Sequence, residues 1–231
     1  MSTKIGDFAI PGDLFTEIKS HKGVTIVGPG LRRNEERPNS LFITQPGKLC
    51  FKAPNVYWIE GRRKRYIPKK GDLVVGIVTK KAGDTLRVDI GSAEFASLSL
   101  LAFEGATKKQ KPDAQVGDLV YAKLLNAHKE MEPELVCIDS YSKAGRLGLL
   151  SNEGFLINLS PLQANRLLDV DNNPLLRTLG RKLVFEIAVG VNGKVWINAK
   201  KTKDVFTIIK SLELAEKHSD KDIMHSCRKI K

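Results

Sequence analysis

Short apolar stretches set between turn dipeptides occupy the first 65 residues of this chain. VTIV (24–27), LFIT (41–44) and VYWI (56–59) are flanked or separated by Pro11-Gly12, Pro29-Gly30 and Pro46-Gly47. Runs rich in β-branched and aromatic residues, bounded by turn formers, predict strands. The gaps between them are too short for crossover helices, so the segment reads as a small all-β module with antiparallel pairing as the simplest topology. The basic run Arg62-Arg63-Lys64-Arg65 then leads into Tyr66-Ile67-Pro68, where a linker or an edge strand fits.

From residue 70 to about 141 five more strand patterns follow: DLVVGIVTK, TLRVDI, AEFASL, DLVYAKLL and ELVCID. In the second, Leu86, Val88 and Ile90 alternate with Arg87 and Asp89, the period-two signature of a sheet with one wet face. Gly76 inside the first marks the kind of bend that a small barrel needs. Lys70-Gly71-Asp72-Leu73-Val74 is echoed by Val116-Gly117-Asp118-Leu119-Val120, which reads as one turn used twice to feed a strand, since nothing else recurs at that spacing.

Beyond about residue 145 the pattern changes. A strand-like GFLINL (154–159) precedes two predicted helices, at Ser160-Pro161 and Asn173-Pro174, each with a capping side chain followed by proline. Two strands follow, KLVFEIAV and KVWINA, joined through Gly190-Val191-Asn192-Gly193. A long helix over Thr202 to Lys217 places Val205, Ile208, Ile209, Leu212 and Ala215 on one face, and a further short helix is expected after Asp220. The expected architecture is mainly β with an α+β C-terminal domain: an N-terminal β module (1–65), a barrel (66–143) and an α+β domain (144–231).

Composition adds a charge. With 38 lysines and arginines against 26 acidic residues the chain carries +12, which suits RNA, an acidic protein face or a phospholipid headgroup; a merely soluble basic protein explains it as well. No apolar run reaches the length of a membrane span, and MSTKIGDFAI lacks the layout of a secretory signal, so an intracellular protein without a membrane partner is expected. Cys50, Cys137 and Cys227 are scattered and form no CxxC pair, which supports neither a disulfide framework nor a zinc knuckle and leaves core packing. There is no GxSxG, HExxH or Walker motif. Of His21, His128, His218 and His225 only the last two are close, among charged residues, and turn and cap chemistry explains Asp169 and Asp171. No catalytic residue, metal site or cofactor is therefore expected.

The stretches GDLVVGIV, RVDIG and VGDLVYAKL resemble the S1-type OB fold, and the order strand, two helices, two strands, helix resembles a KH domain. A β module, an S1 barrel and a KH domain in that order is the layout of the S1/KH cap subunits of the RNA exosome. RYIPKKGDLVVGIV (65–78), ASLSLLAFEGATKKQKP (96–112), MEPELVCIDS (131–140) and GVNGKVWINAK (190–200) extend that resemblance over nearly all of the chain after the first twenty residues. It implies a non-catalytic subunit that sits with two other cap proteins on a ring of RNase PH-like chains, where single-stranded RNA is guided into a central channel for 3′-to-5′ processing and decay. It also implies the nucleus, nucleolus and cytoplasm as locations.

The residues qualify this picture. A KH domain ordinarily grips a nucleic-acid backbone with a GxxG loop between its first two helices. Here that loop is Asp169-Val170-Asp171-Asn172-Asn173, which has no glycine and two carboxylates and should repel RNA. The GVNG string falls between two strands, where Asn192-Gly193 suits a type I′ hairpin turn; the resemblance places Gly190, Asn192 and Gly193 at a packed domain contact. Single strands bind OB folds by stacking bases on aromatics over a basic groove, yet the second and third barrel strands offer only Phe95, which fits core or surface. Phe103 reads as core.

The candidate RNA-binding residues are therefore Lys80 and Lys81, Lys108, Lys109 and Lys111, and Arg62, Arg63, Lys64 and Arg65. For the last four, RNA and an acidic protein face fit equally. Lys194, Lys200, Lys201 and Lys203 read as solvated. Contacts of this kind are weak, indifferent to sequence and salt-sensitive. A free-standing S1/KH RNA-binding factor is the alternative reading, and a nuclease a third for which no residue nominates an active site.

Overall fold

A computed structural model describes residues 4–18, 23–37, 39–61, 65–128, 130–139, 141–169 and 175–217. The chain divides into two compact units, residues 1–62 and 63–231.

The first unit holds β1 (Phe8–Ala9), β2 (Leu14–Phe15), β3 (Thr25–Val27), β4 (Leu31–Arg33), β5 (Leu41–Ile43), β6 (Gly47–Lys52) and β7 (Val56–Glu60). They form two sheets, in the orders β1-β6-β7-β3 and β2-β5-β4. One pairing departs from the antiparallel expectation: β3 runs parallel to β7, with Thr25 opposite Val56 and Val27 opposite Trp58. A parallel pair needs a crossover of a dozen or more residues, and the chain supplies it with three strands in place of a helix. Phe15, Leu41, Ile43, Leu49 and Tyr57 make the core. The Tyr57 ring sits 5.5 Å from that of Phe15 and 4.9 Å from that of Phe51, both tilted as aromatic pairs prefer.

In the second unit β8 (Leu73–Ala82), β9 (Thr85–Asp89), β10 (Ala96–Phe103), β11 (Leu119–Asn126) and β12 (Glu134–Cys137) follow the order β12-β10-β9-β8-β11, and β11 pairs with β12 to close a five-stranded barrel. Tyr66 lies in no strand; its ring is buried in the barrel core and its hydroxyl donates to Asp72 at 2.6 Å, so the 66–68 segment anchors the barrel's start. Leu86, Val88 and Ile90 are buried as their alternation requires. Gly76 is needed for close approach, since a methyl group there would lie 2.2 Å from Val88 Cγ1. The third strand starts later than its pattern suggests. Ala96 pairs with Val88 and the strand continues to Phe103, beside Cys137 of β12, so Phe95 stays in the preceding turn and exposed while Phe103 packs against the core.

The repeated Gly-Asp-Leu-Val string has a geometric reason. β8 and β11 are antiparallel neighbours, and each enters through the same turn. The Gly71 amide donates to the Leu124 carbonyl and the Leu124 amide to that of Asp72; likewise the Gly117 amide donates to the Val78 carbonyl and the Val78 amide to that of Asp118. Each turn thus closes the far end of the other strand. Both glycines need the left-handed region, at φ 90° and 103°.

A short β13 (Gly148–Leu149) extends the barrel sheet beyond β11. Then come β14 (Phe155–Asn158), α1 (Pro161–Leu168), α2 (Leu175–Gly180), β15 (Phe185–Val189), β16 (Lys194–Ala199) and α3 (Thr202–Lys217), with sheet order β14-β16-β15. Ser160 caps α1 by accepting from the Gln163 amide at 3.3 Å, with Pro161 in the first turn. On one sheet face Ile157, Ile187, Val195 and Ile197 pack against the helices, where α3 contributes Val205, Ile208 and Leu212. The other face turns to the barrel. The predicted loop residues Val170 to Asn173, the start of the second helix at Pro174 and the helix after Asp220 lie outside the described residues.

Candidate nucleic-acid interface

The barrel and the C-terminal sheet are joined by side chains that alternate with those of the helix-facing core. Trp196 of β16 and Ala188 of β15 pack on Val75 and Tyr121 of the barrel, with Leu73, Leu119, Leu147, Leu150 and Leu156 around them. The Tyr121 hydroxyl donates to the Val189 carbonyl at 3.3 Å, and the Trp196 indole to the Ser151 carbonyl at 3.1 Å. Gly154 clears the Trp196 ring; a methyl group there would stand 2.1 Å from Nε1.

The GVNG turn is driven into the barrel. Asn192 Nδ2 donates to the carbonyls of Val75 and Ile90, each at 2.8 Å, and its Oδ1 accepts from the Val75 amide at 3.3 Å. The Val191 amide donates to the Leu73 carbonyl at 2.8 Å. A methyl group on Gly190 would lie 2.2 Å from Asn192 Oδ1 and 2.6 Å from the Val75 amide nitrogen, so glycine is required there by close approach. The turn is not the expected type I′. The Gly193 amide donates to the Gly190 carbonyl at 3.0 Å, and Gly193 alone in the turn has positive φ, at 86°. With Val191 and Asn192 both at negative φ this is a type I turn closed by a glycine bulge, the three-residue hairpin loop.

Lys194, expected to be solvated, is buried. Its ammonium donates to the Asp89 carbonyl and to Asp89 Oδ2, each at 2.9 Å, which fixes β16 to the end of β9. Burial pushes the Asp89 carboxyl up, but the Lys194 hydrogen bond, the Gly91 amide and the Lys194 charge outweigh it and hold it below its ordinary value. Sequence reasoning missed this pair; the available signal was that Lys194 shares the parity of Trp196, the barrel-facing row.

The candidate lysines divide into tethered and free groups. Lys111 pairs with Asp84, in the turn between β8 and β9, and the Lys81 ammonium donates to the Ala114 carbonyl at 3.1 Å. The Leu100 amide also donates to the Asp84 carbonyl. The Lys111 and Lys81 bonds draw the loop between β10 and β11 onto the β8–β9 hairpin and bring the two lysine groups to one end of the barrel. Lys80, Lys108 and Lys109 are exposed and have no ion pair or side-chain hydrogen bond among the described residues. Lys80 is opposite Arg87, which pairs with Glu132 at the surface. Arg65 is exposed; Arg62, Arg63 and Lys64 lie outside the described residues. Lys200, Lys201 and Lys203 are exposed, and so is Phe95.

Among the described residues no group of three histidines, cysteines or acids could hold a metal. No described helix is long and apolar enough to cross a membrane. Cys137 is a buried thiol that desolvation pushes up to about 12, and half-buried Cys50 is raised by desolvation and by Glu60. Cys227 lies outside the described residues, as do His21, His218 and His225.

Comparison with known proteins places these features in a family. The model described as the S1 domain of exosome complex component RRP40 matches residues 66–148, a KH-domain model matches 154–203, and the N-terminal model of the mammalian exosome complex component RRP40 matches 7–62. Exosome complex component RRP40 of Drosophila melanogaster is 44% identical over 202 residues, covering 87% of this chain and 85% of the relative. The Schizosaccharomyces pombe protein of that name is 38% identical over 226 residues, covering 96% and 94%, and the Homo sapiens protein 42% over 197 residues, covering 83% and 70%. A crystal structure described as an exosome complex RNA-binding protein superposes with a TM-score of 0.59 at 22% identity, over 71% of this chain and 96% of that one, a likeness of fold. With its S1 barrel, its KH domain and relatives this similar along most of their length, the chain belongs to the exosome complex component RRP40 family.

Proposed function

We propose that this chain is a non-catalytic cap subunit of the RNA exosome that steadies the ring of RNase PH-like subunits and guides single-stranded RNA toward its channel. One observation carries the RNA path: Lys80, Lys108 and Lys109 present free ammonium groups at a barrel end where Lys81 and Lys111 hold the loop in place. Positive charge gathered at a fixed rim attracts a passing phosphate backbone without reading its sequence. The KH domain supports a structural role, because its glycine turn is spent on the barrel and the loop between α1 and α2 carries Asp169 and Asp171 without glycine. Work in nucleus, nucleolus and cytoplasm is part of this proposal.

The test is ultraviolet crosslinking of labelled oligouridine to the chain assembled with ring and other cap subunits. Crosslinks at the β8–β9 hairpin and the 104–118 loop, lost in a Lys80→Glu, Lys108→Glu, Lys109→Glu variant that still assembles, support the proposal. Undiminished crosslinking in that variant sinks the RNA path. A chain that joins no ring and binds oligouridine tightly alone is instead a free-standing RNA-binding factor.

A further inference from the structure

Among the described residues the outer edge of β14 pairs with no strand. Its Leu159 amide, just past the strand, donates to the Gly193 carbonyl at 2.7 Å, so by the period-two rule Phe155 and Ile157 also point their backbone groups at β16. The amides and carbonyls of Leu156 and Asn158 point the other way, and among the described residues nothing bonds them. Proteins commonly blunt such an edge with charge, proline or a covering element. The strand Phe-Leu-Ile-Asn has neither charge nor proline.

Beside this edge lies an apolar platform. Phe155 is 43% exposed and Phe206, in the second turn of α3, is 62% exposed, their ring centroids 6.5 Å apart. Two large rings in contact with each other and exposed to water to this extent are not core residues. Lys203 and Lys210 flank Phe206 on its helix face, three residues before and four after; both are exposed and neither has an ion pair among the described residues.

We propose that this edge is a docking site for an extended segment of a partner protein, which adds a strand to β14, sets a bulky apolar side chain against Phe155 and Phe206, and directs a carboxylate to Lys203 or Lys210. Backbone bonds give such a site its affinity and the alternate side-chain contacts its selectivity. The charges choose the occupant. A second copy of this chain would bring two more lysines against these two, in molecules of charge +12 each. RNA offers no strand for the free amides of Leu156 and Asn158. Phe155, Leu156, Asn158, Lys203, Phe206 and Lys210 include none of the lysines of the proposed RNA path.

The probe is a fluorescein-labelled peptide of about 12 residues that alternates valine or phenylalanine with aspartate, beside a counterpart with lysine for aspartate, titrated against the full chain. Saturable binding of the aspartate peptide, at least about tenfold tighter than the lysine peptide, with slowed hydrogen exchange at the Leu156 and Asn158 amides, is the expected result. Phe206→Ala, an exposed change that leaves thermal stability intact, should weaken binding at least about tenfold, and Lys203→Glu with Lys210→Glu should do the same. Equal binding of both peptides, no protection on β14, or an indifferent Phe206→Ala overturns the proposal. So does protection of β14 by oligouridine in place of the peptide, or by a concentration-dependent dimer that Phe206→Ala abolishes.

Discussion

Asn192 Nδ2 lies 2.8 Å from the carbonyl oxygen of Val75, a residue 117 positions earlier in the chain. That bond, with its companions to the Ile90 carbonyl and the Val75 amide, fixes the turn of the KH sheet to the barrel backbone. An asparagine fits because both carbonyls need donors and the amide needs an acceptor, and one carboxamide supplies both.

Asn192→Ala should therefore cost roughly 2–4 kcal/mol, because buried groups on both strands lose their partner. Asn192→Asp should be worse, since it turns oxygens toward two carbonyls. Chemical denaturation of the full chain measures both, and a loss under about 0.5 kcal/mol, the usual range of surface substitutions, would show the contact to be incidental.

At Gly154 and Gly190 the argument is steric. Gly154→Ala drives a methyl group into the Trp196 indole and Gly190→Ala drives one into the Val75 backbone. Each should destabilise by about 1–3 kcal/mol, the usual cost of overpacking, with the rigid backbone at Gly190 giving the larger value. Gly180→Ala, where a methyl group meets nothing, is the control and should leave the melting temperature almost unchanged.

The Asp89–Lys194 pair makes stability depend on pH. The Asp89 carboxyl sits below its ordinary value in the folded chain, so its contribution is present above the ordinary carboxylate pKa and is lost as pH falls through the depressed one. Asp89→Asn should lower the denaturation midpoint at pH 7, and the gap from the parent chain should shrink as pH drops below about 4. A gap that is constant from pH 7 to pH 3 would show that the carboxylate charge is not what the lysine reads.

Cys137 should resist alkylation in the folded protein, because a thiol pushed up to about 12 holds almost no thiolate at neutral pH. In a Cys50→Ser, Cys227→Ser background, iodoacetamide labelling at pH 8 should follow global unfolding and accelerate together with it in denaturant.

Replacing Lys80, Lys108 and Lys109 by alanine should flatten the dependence of RNA affinity on salt. Each single-strand phosphate contact contributes about 0.7 to the slope of log affinity against log salt, so loss of three should lower it by about 2. Lys111→Ala acts differently: it frees the loop from Asp84 and should speed amide exchange from Thr107 to Gln110 while leaving global stability within about 0.5 kcal/mol, as expected of an exposed pair.

What the sequence revealed and what it hid follow from how far apart the partners lie. Strands and helices were legible because alternation, capping and turn chemistry are local: Ser160-Pro161 starts α1, and α3 buries the face its periodicity marks. The parallel β3–β7 pair was hidden because two of the three strands that carry the crossover, β4 and β6, lack the apolar run that marks β5 as LFIT. β10 starts later than the run AEFASL suggests because its alternation of Ala96, Leu98 and Leu100 with Ser97 and Ser99 begins only after Phe95, while its second partner, β12, comes more than 30 residues later. Lys194 was misread because nothing near it says that the second face of its sheet is covered. At the candidate RNA surface, charge density marked the lysines, but only the folded loop separates Lys81 and Lys111, which are tied, from Lys80, Lys108 and Lys109, which are free.

The most direct test of the account is affinity purification of the tagged full chain from cells, washed at high salt, with the co-eluting proteins quantified by mass spectrometry. The account predicts RNase PH-like ring subunits and other cap subunits in amounts equal to the chain, because protein interfaces survive the salt that strips loosely held RNA. A chain that elutes alone, or only with RNA lost in the wash, would contradict its place as an exosome cap subunit.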